Sequence, residues 1–348
     1  MNKNYIEFMR EAITLAKLAR NKTLPNPRVG AVIFDEQSNA LGRGYHKSFG
    51  SDHAEVEAIN DAIKNGFSVK GTNLCVTLEP CNHDGKTPPC CEAIIRSGIK
   101  KVIIGAADDC KDVCGCGTEK LKAAGIQVET GVIEEECRAI NPGFHKFNET
   151  GLPYIHIKYA VSLDGANGGK VGGSATKGWF TGEKARKTVH EFRANSDLVI
   201  TGVGTIKADD PKFNSRFKDE TVTNRIAILD AKLELFEQYK NRTLNIFKVH
   251  NDVVVITGRS DKTKELEAAK IKVIEADVDG KANTADKIDL ARLIPILSKK
   301  YGYREIFVEA GASVISSFLS DAKNYVDRVT LFVATKNSED AVMLDGRP

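Results

Sequence analysis

One imidazole and two thiols, His53, Cys81 and Cys90, constrain this chain more than any other feature of it. His53 opens an apolar-periodic stretch (Val56, Ile59, Ile63) that reads as a helix. Cys81 follows the alternating run Thr72–Glu79, which reads as a half-buried strand with Cys75 as a core thiol. Cys90 precedes a second helical pattern (Ala93, Ile94, Ser97). A strand end and two helix starts can converge on one point, so an α/β unit is expected around them. The donor set suits zinc, because three protein ligands leave the fourth tetrahedral position open to water. Zinc lowers the pKa of such a water far enough to supply hydroxide at neutral pH. Glu55 lies two residues from His53. It can move protons without being a ligand, and packing alone does not need a carboxylate there.

Single histidines and cysteines are usually structural, so the context must carry the reading. H-x-E followed by P-C-x-x-C resembles the zinc nucleobase deaminases. Here the two cysteines are nine apart, and the insert Asn82–Pro89 places His83 and Lys86 beside the expected metal. Asn26 lies between Pro25 and Pro27, which fix the backbone around its amide. A rigid amide can pair with the edge of a flat heterocycle as both donor and acceptor. His46 follows Gly42-Arg43-Gly44-Tyr45. Taken singly, a plain turn for Asn26 and a surface site for His46 fit equally well.

The motifs P-N-P-x-V-G (25–30), G-x-G-x-H (42–46), H-A-E (53–55) and L-E-P-C-x-H-x-G-K-T-P-P-C (78–90) occur in this order. Together they resemble the deaminase half of the bifunctional deaminase–reductase family of riboflavin biosynthesis. The long insert between the cysteines carries most of the specificity. The resemblance implies a diaminopyrimidinone substrate with a ribosylamino 5′-phosphate. It implies zinc on His53, Cys81 and Cys90, with Glu55 as proton shuttle. Asn26, His46, His83, Lys86 and Thr87 would line the substrate pocket. An ammonium at Lys86 is a natural phosphate partner. One segment departs from the family. Asp108–Gly117 keeps the Val and glycines of D-P-N-P-x-V-x-G-x-G but lacks both prolines and the Asn. Its thiols Cys110, Cys114 and Cys116 raise a second metal site as an alternative to a loop that happens to contain cysteines.

A length of 348 residues suggests two domains. Fifty basic and 47 acidic residues, a net charge of +3, give no reason to expect nucleic acid or a membrane surface as partner. Eight cysteines in so long a chain read as reduced thiols of a cytoplasmic protein. Residues 1–20 form an amphipathic helical pattern, not a signal peptide. Strands are expected near 29–34, 72–78, 101–106 and 126–130, and a helix from Glu134 to Ile140 ends at Asn141-Pro142-Gly143. Residues 146–153 read as a link to a strand at 154–162. Beyond it, strands are expected at 198–201, 225–229, 253–257, 273–275 and 305–308, with a helix at 290–300. Strands alternating with helices favour a sheet sandwiched by helices.

In the second half, Glu309-Ala310-Gly311-Ala312-Ser313 joins a strand to a helical pattern. Amides at such a helix start can face a phosphate, and a tight turn needing Gly for steric reasons is the plain alternative. Gly202-Val203-Gly204-Thr205 is no Rossmann fingerprint, since Lys207 stands where the last Gly belongs. Ser162–Gly165, Trp179–Gly182 with Arg186, Arg193-Ala194-x-Ser196-Asp197, Gly202–Pro211 and Val308–Gly311 resemble the reductase half of the same family. The implied fold is a cytidine-deaminase-like three-layer α/β/α domain (1–147) followed by a dihydrofolate-reductase-like α/β domain (148–348). The implied second cofactor is NADPH. Ala160, Trp179, Thr205, Asp209, Gly311, Ala312 and Ser313 would contact it. Lys177, Arg193, Phe213, Arg216 and Glu309 would contact a ribose-phosphate substrate, to which guanidinium forks are suited. Lys177 and Ala231 stand where the family often has Ser. The chain stops at Asp345–Pro348, where family members commonly add one more strand, so an uncovered sheet edge is expected. Homo-oligomers are implied by the resemblance alone. Two other readings stay open: a deaminase of nucleosides or RNA, and a second half that is a non-catalytic scaffold.

Overall fold

The computed structural model describes residues 3–83, 88–109, 116–162, 182–217, 221–276, 287–334 and 342–346. The chain forms two compact units, Met1–Thr150 and Gly151–Pro348. No helix among the described residues is long and apolar enough to cross a membrane.

The first unit runs α1 (Lys3–Ala16), β1 (Gly30–Phe34), β2 (Ala40–Tyr45), α2 (Ala54–Lys64), β3 (Asn73–Leu78), α3 (Cys90–Ser97), β4 (Lys101–Ala106), α4 (Cys116–Ala123), β5 (Gln127–Glu129), α5 (Glu134–Arg138) and α6 (Pro142–Thr150). Its five-stranded sheet has the order β2-β1-β3-β4-β5. β1 pairs antiparallel with β2 and β3, whereas β3, β4 and β5 are parallel. β1 and β3 are buried along their whole length because helices cover both faces of the sheet. Ile33, Leu74, Val76 and Ile104 pack against Ala58 and Ala62 of α2 and Ile94 of α3. The alternate residues Phe34, Cys75 and Ile103 pack against Met9 and Ile13 of α1 on the other side. The chain does not simply leave the helical state at Pro142, nor do residues 146–150 act as a link. Pro142 is the first residue of α6, a position where its missing N–H costs no helical hydrogen bond.

The second unit runs β6 (Tyr154–Ser162), α7 (Glu183–Asn195), β7 (Leu198–Gly202), α8 (Val203–Asp209), β8 (Ser215–Arg216), β9 (Thr221–Val222), β10 (Arg225–Leu229), α9 (Phe236–Lys240), β11 (Val253–Thr257), α10 (Thr263–Ala268), β12 (Lys272–Glu275), α11 (Leu290–Lys299), β13 (Glu305–Glu309), α12 (Ala312–Ser320), β14 (Val326–Ala334) and β15 (Val342–Gly346). The main sheet has the order β12-β11-β10-β7-β13-β6-β14-β15. Among the described strands of this sheet only β15 is antiparallel; it covers β14 and forms one edge of the sheet, with β12 at the other. α11 and α12 cover one face through Leu293, Ile294, Ile315 and Phe318. α7, α8, α9 and α10 cover the other through Val189, Ile206, Phe236 and Leu266.

Candidate active sites

In the first unit, the end of β3 and the starts of α2 and α3 meet. His53 immediately precedes α2, Cys81 lies just beyond β3, and Cys90 is the first residue of α3. His53 Nδ1 is 3.1 Å from Cys90 Sγ and 3.5 Å from Cys81 Sγ. All three donor atoms lie within 4.8 Å of one another. The Cys90 backbone N–H donates to Cys81 Sγ at 3.3 Å, and the Cys91 N–H to the Cys81 carbonyl at 3.2 Å, which brings the ends of the insert together. The hydrogen bond from Cys90 holds the Cys81 thiol well below its ordinary range, and His53 adds to this. Cys90, as donor in that contact and buried, is pushed up. His53 is pushed up by its contact with Cys81. Helix N-termini favour the thiolate form further. Two thiols and an imidazole this close fit a zinc ion, which bonds such donors at about 2.0–2.3 Å.

Glu55 is in the first turn of α2 and is only 3% exposed. Burial, helped by the negative Cys81, raises its carboxyl to about 7. Such a group can both take and release a proton at neutral pH. The His46 ring stands edge-on to His53 at 5.0 Å. His46 Nδ1 is 3.1 Å from the Asp52 carbonyl, so that nitrogen carries the hydrogen. Nε2 is then the acceptor that faces Asn26 Nδ2 at 3.5 Å. Burial lowers the His46 pKa and keeps the ring neutral. Asn26 and His46 therefore border the three donors. His83 is exposed, and Lys86 and Thr87 lie outside the described residues. Cys110 and Cys114 also lie outside them, while Cys116 is exposed at the start of α4.

Glu79 was not anticipated. Its buried carboxylate accepts the Thr118 N–H at 2.8 Å and the Asp108 N–H at 3.4 Å. It ties residues on both sides of the β4–α4 connection to the strand end that carries Cys81. Its only signal in the sequence is an acid closing an apolar run.

In the second unit, β7 and β13 are parallel neighbours whose following helices leave to opposite faces of the sheet. A crevice opens at the carboxyl ends of such strands. A cavity of about 510 Å³ lies there, lined by Gly202–Thr205, Lys232, Lys287 and Gly311–Val314 among others. The Gly311 N–H donates to Thr205 Oγ1 at 3.1 Å and links the two walls. Gly311, Ala312 and Ser313 at the start of α12 are exposed to it. A Cβ on Gly202 would lie 2.6 Å from Val314 Cγ2, which explains the glycine there. Asp209 is exposed at the end of α8, and Ala160 is half-buried on β6. Trp179 and Lys177 lie outside the described residues.

Arg193 forks onto Glu309, with Nε at 2.6 Å and a second nitrogen at 2.9 Å from its two carboxylate oxygens. Register places Lys158 of β6 opposite Glu309 of β13, and its Nζ is 3.7 Å from the carboxylate. Burial works to raise the Glu309 pKa, but the charges of Arg193 and Lys158 overcome it and hold the group at about 2. Phe213 is buried with its ring 5.3 Å from the Arg193 guanidinium. Arg216 is exposed and makes no contact with Glu309. Its backbone nitrogen lies 3.4 Å from His190 Nδ1, which is also 3.2 Å from the Asn214 carbonyl. Burial first, then the charges of Arg193 and Arg216, push the His190 pKa down. Lys158 was also not anticipated, because only strand register brings it to the site.

Residues 2–106 match the family model for the cytidine and deoxycytidylate deaminase zinc-binding region. Residues 153–337 match that for the RibD C-terminal domain. The riboflavin biosynthesis protein RibD of Bacillus amyloliquefaciens is 38% identical over 316 residues, 90% of this chain and 80% of the relative. That of Aquifex aeolicus is 36% identical over 336 residues, 97% of this chain and 87% of the relative. Among solved structures, Acinetobacter baumannii RibD is similar at a TM-score of 0.80 and 34% identity, covering 96% of this chain and 87% of that one. A Thermotoga maritima diaminohydroxyphosphoribosylaminopyrimidine deaminase/5-amino-6-(5-phosphoribosylamino)uracil reductase matches at 0.80 and 32%, covering 97% and 89%.

Proposed function

This chain belongs to the RibD family and is a bifunctional deaminase–reductase of riboflavin biosynthesis, and we propose how its residues divide the two reactions. The first is hydrolytic deamination of 2,5-diamino-6-ribosylamino-4(3H)-pyrimidinone 5′-phosphate in residues 1–147. The second, in residues 148–348, is reduction of the ribosyl side chain to ribityl by NADPH. The convergence of His53, Cys81 and Cys90 around the buried Glu55 carries the first assignment. The three side chains would hold zinc, which when bound supplies the Lewis acidity that makes water a nucleophile at neutral pH. Glu55 takes a proton from the attacking water and delivers it to the ring nitrogen, then takes a second proton from the hydroxyl of the tetrahedral adduct and delivers it to the amino group that departs as ammonia. Asn26 offers its amide to the pyrimidine edge, and His46, fixed in one tautomer, stands beside it. His83, Lys86 and Thr87 belong to the same pocket by resemblance, with Lys86 toward the phosphate.

The crevice between β7 and β13 supports cofactor binding in the second reaction, with Thr205 and the amides at the start of α12 facing pyrophosphate. A nicotinamide bound there supplies the hydride. Lys232 and Lys287 on the cavity wall favour NADPH over NADH, because an ammonium is a good partner for the extra ribose phosphate. Arg193 and Glu309 lie at the carboxyl end of β13, where they can grip the sugar phosphate and its hydroxyls. Lys158 is a third polar group at that end and can protonate the ribose ring oxygen as its bond to C1′ breaks, leaving a hydroxyl on the opened sugar.

Stepwise turnover tests the reading. With the pyrimidinone alone the protein should release ammonia, and adding NADPH should then convert the deaminated product to its ribityl form. Glu55→Gln should keep zinc and fold and should lose ammonia release by about 10²–10⁴-fold or more. Near-normal ammonia release by that variant would remove Glu55 from the mechanism.

A further inference from the structure

We propose that Asn141 is a positioning residue for the deamination site: it holds the loop that carries Asn26 in the orientation the pyrimidine meets. The inference rests on the reading of Asn26 as a pyrimidine contact. Asn141 lies between α5 and α6, 113 residues beyond the loop it grips. Its side chain engages Arg28 at three points. Oδ1 accepts the Arg28 backbone N–H at 2.8 Å and Arg28 Nε at 3.3 Å. Nδ2 donates to the Arg28 carbonyl at 2.8 Å. One amide thus pairs with both main-chain groups of a single residue, as a neighbouring strand would. Asn141 is 5% exposed and Arg28 6%, so water cannot replace these bonds.

The gripped residue is two positions from Asn26 and directly before Val29, whose carbonyl accepts the His46 N–H at 3.0 Å. The Asn26 N–H donates to the Thr23 carbonyl at 2.9 Å on the other side. Arg28 is therefore the fixed point between Asn26 and the first strand of the sheet. Among the described residues, the Asn26 side chain has His46 as its hydrogen-bonding neighbour, at 3.5 Å. Such a contact is too long to set the direction of the amide alone. The backbone under it must do so, and Asn141 fixes that backbone. Loss of Asn141 removes all three of these buried bonds, and the loop they fix relaxes.

A double-mutant cycle on the full chain, loaded with zinc, tests this through KM and kcat for deamination. Asn141→Ala should raise KM by about tenfold, the equilibrium equivalent of one to two buried hydrogen bonds, and change kcat far less. Zinc per chain should stay at the wild-type value. Asn26→Ala should raise KM by at least as much, and the double variant should be no worse than Asn26→Ala, because a loop without its amide no longer needs aiming. Asn141→Asp keeps the acceptor and the size, so it should fold even if the alanine variant does not, with a smaller rise in KM. An unchanged KM in both Asn141 variants overturns the proposal. So does a full additive effect in the double variant, which would mark Asn141 as merely structural. If Asn26→Ala itself leaves KM unchanged, the reading of Asn26 fails and the proposal falls with it.

Discussion

Replacing Gly44 by alanine should damage deamination through the helix that carries two of its key groups. Gly42 and Gly44 project to the same face of β2, where α2 lies against them. A Cβ on Gly44 would sit 2.2 Å from the Ala54 carbonyl oxygen and 2.4 Å from the Ala58 nitrogen, whereas ordinary contact begins at 3.4 Å. The first turn of α2 must therefore withdraw by about 1 Å. Ala54 stands between His53 and Glu55, so both move with it. Overpacking of this kind costs about 1–3 kcal/mol of stability. A 1 Å misplacement of reacting groups costs about 10²-fold in rate. Ammonia release by Gly44→Ala should fall by that order, and the melting temperature of the first unit should drop by several degrees. Zinc content and reductase turnover on supplied intermediate would be measured in the same samples. Wild-type ammonia release with an unchanged melt would refute the argument that α2 is seated by direct contact with β2.

Lys232→Ala and Lys287→Ala should each weaken binding of 2′,5′-ADP, read by calorimetry, while leaving 5′-AMP nearly unaffected; equal loss for both nucleotides would place the lysines away from the extra phosphate. Glu309 contributes stability that is present above its ordinary pKa of 4.5 and is lost as pH falls toward about 2, because its folded-state value is depressed. The gap between wild type and Glu309→Gln, followed by amide exchange in residues 151–348, should be on the order of 3 kcal/mol at neutral pH. It should shrink between about pH 4.5 and 2, and a gap that instead widens on acidification would contradict the paired carboxylate.

The buried strands were legible because a parallel strand covered on both faces is a short continuous apolar run, as in Leu198–Thr201 or Val253–Thr257. β2 was not among the expected strands, since Gly42 and Gly44 interrupt any apolar run there. In three dimensions they are what lets α2 approach. The α5–α6 corner misled for a similar reason. A proline that looks like a stop is equally a start when the chain resumes a helix on it. His53, Cys81 and Cys90 stood out because metal chemistry needs those residue types at element ends, and the structure brings the three together with Glu55 buried in the next turn. Lys158, Glu79 and Asn141 carry no such mark. Each reaches its site by register or by a turn that brings residues tens to hundreds of positions apart together. Arg216 shows the converse, since an arginine in a matching motif is exposed on a short hairpin strand and does not touch Glu309.

β6, the first strand of the second unit, lies between β13 and β14, the latter two made near the end of the chain. Ile155 donates its N–H to Asp327, 172 residues later, and Glu305 aligns with Tyr154. At about 5–20 residues per second, a ribosome needs on the order of ten to thirty seconds to make the strands that flank β6. For that interval Ile155 and Ile157, fully buried in the finished protein, have neither neighbour strand to cover them. In the first unit no described strand waits so long for its neighbours, because the described strands all precede residue 130. Synthesis thus completes the zinc-site half while the reductase half is still an open chain with a sticky leading strand. High sequence separation of this kind slows folding and lengthens exposure to aggregation. The burden of chaperone protection during synthesis should fall on residues 151 onward.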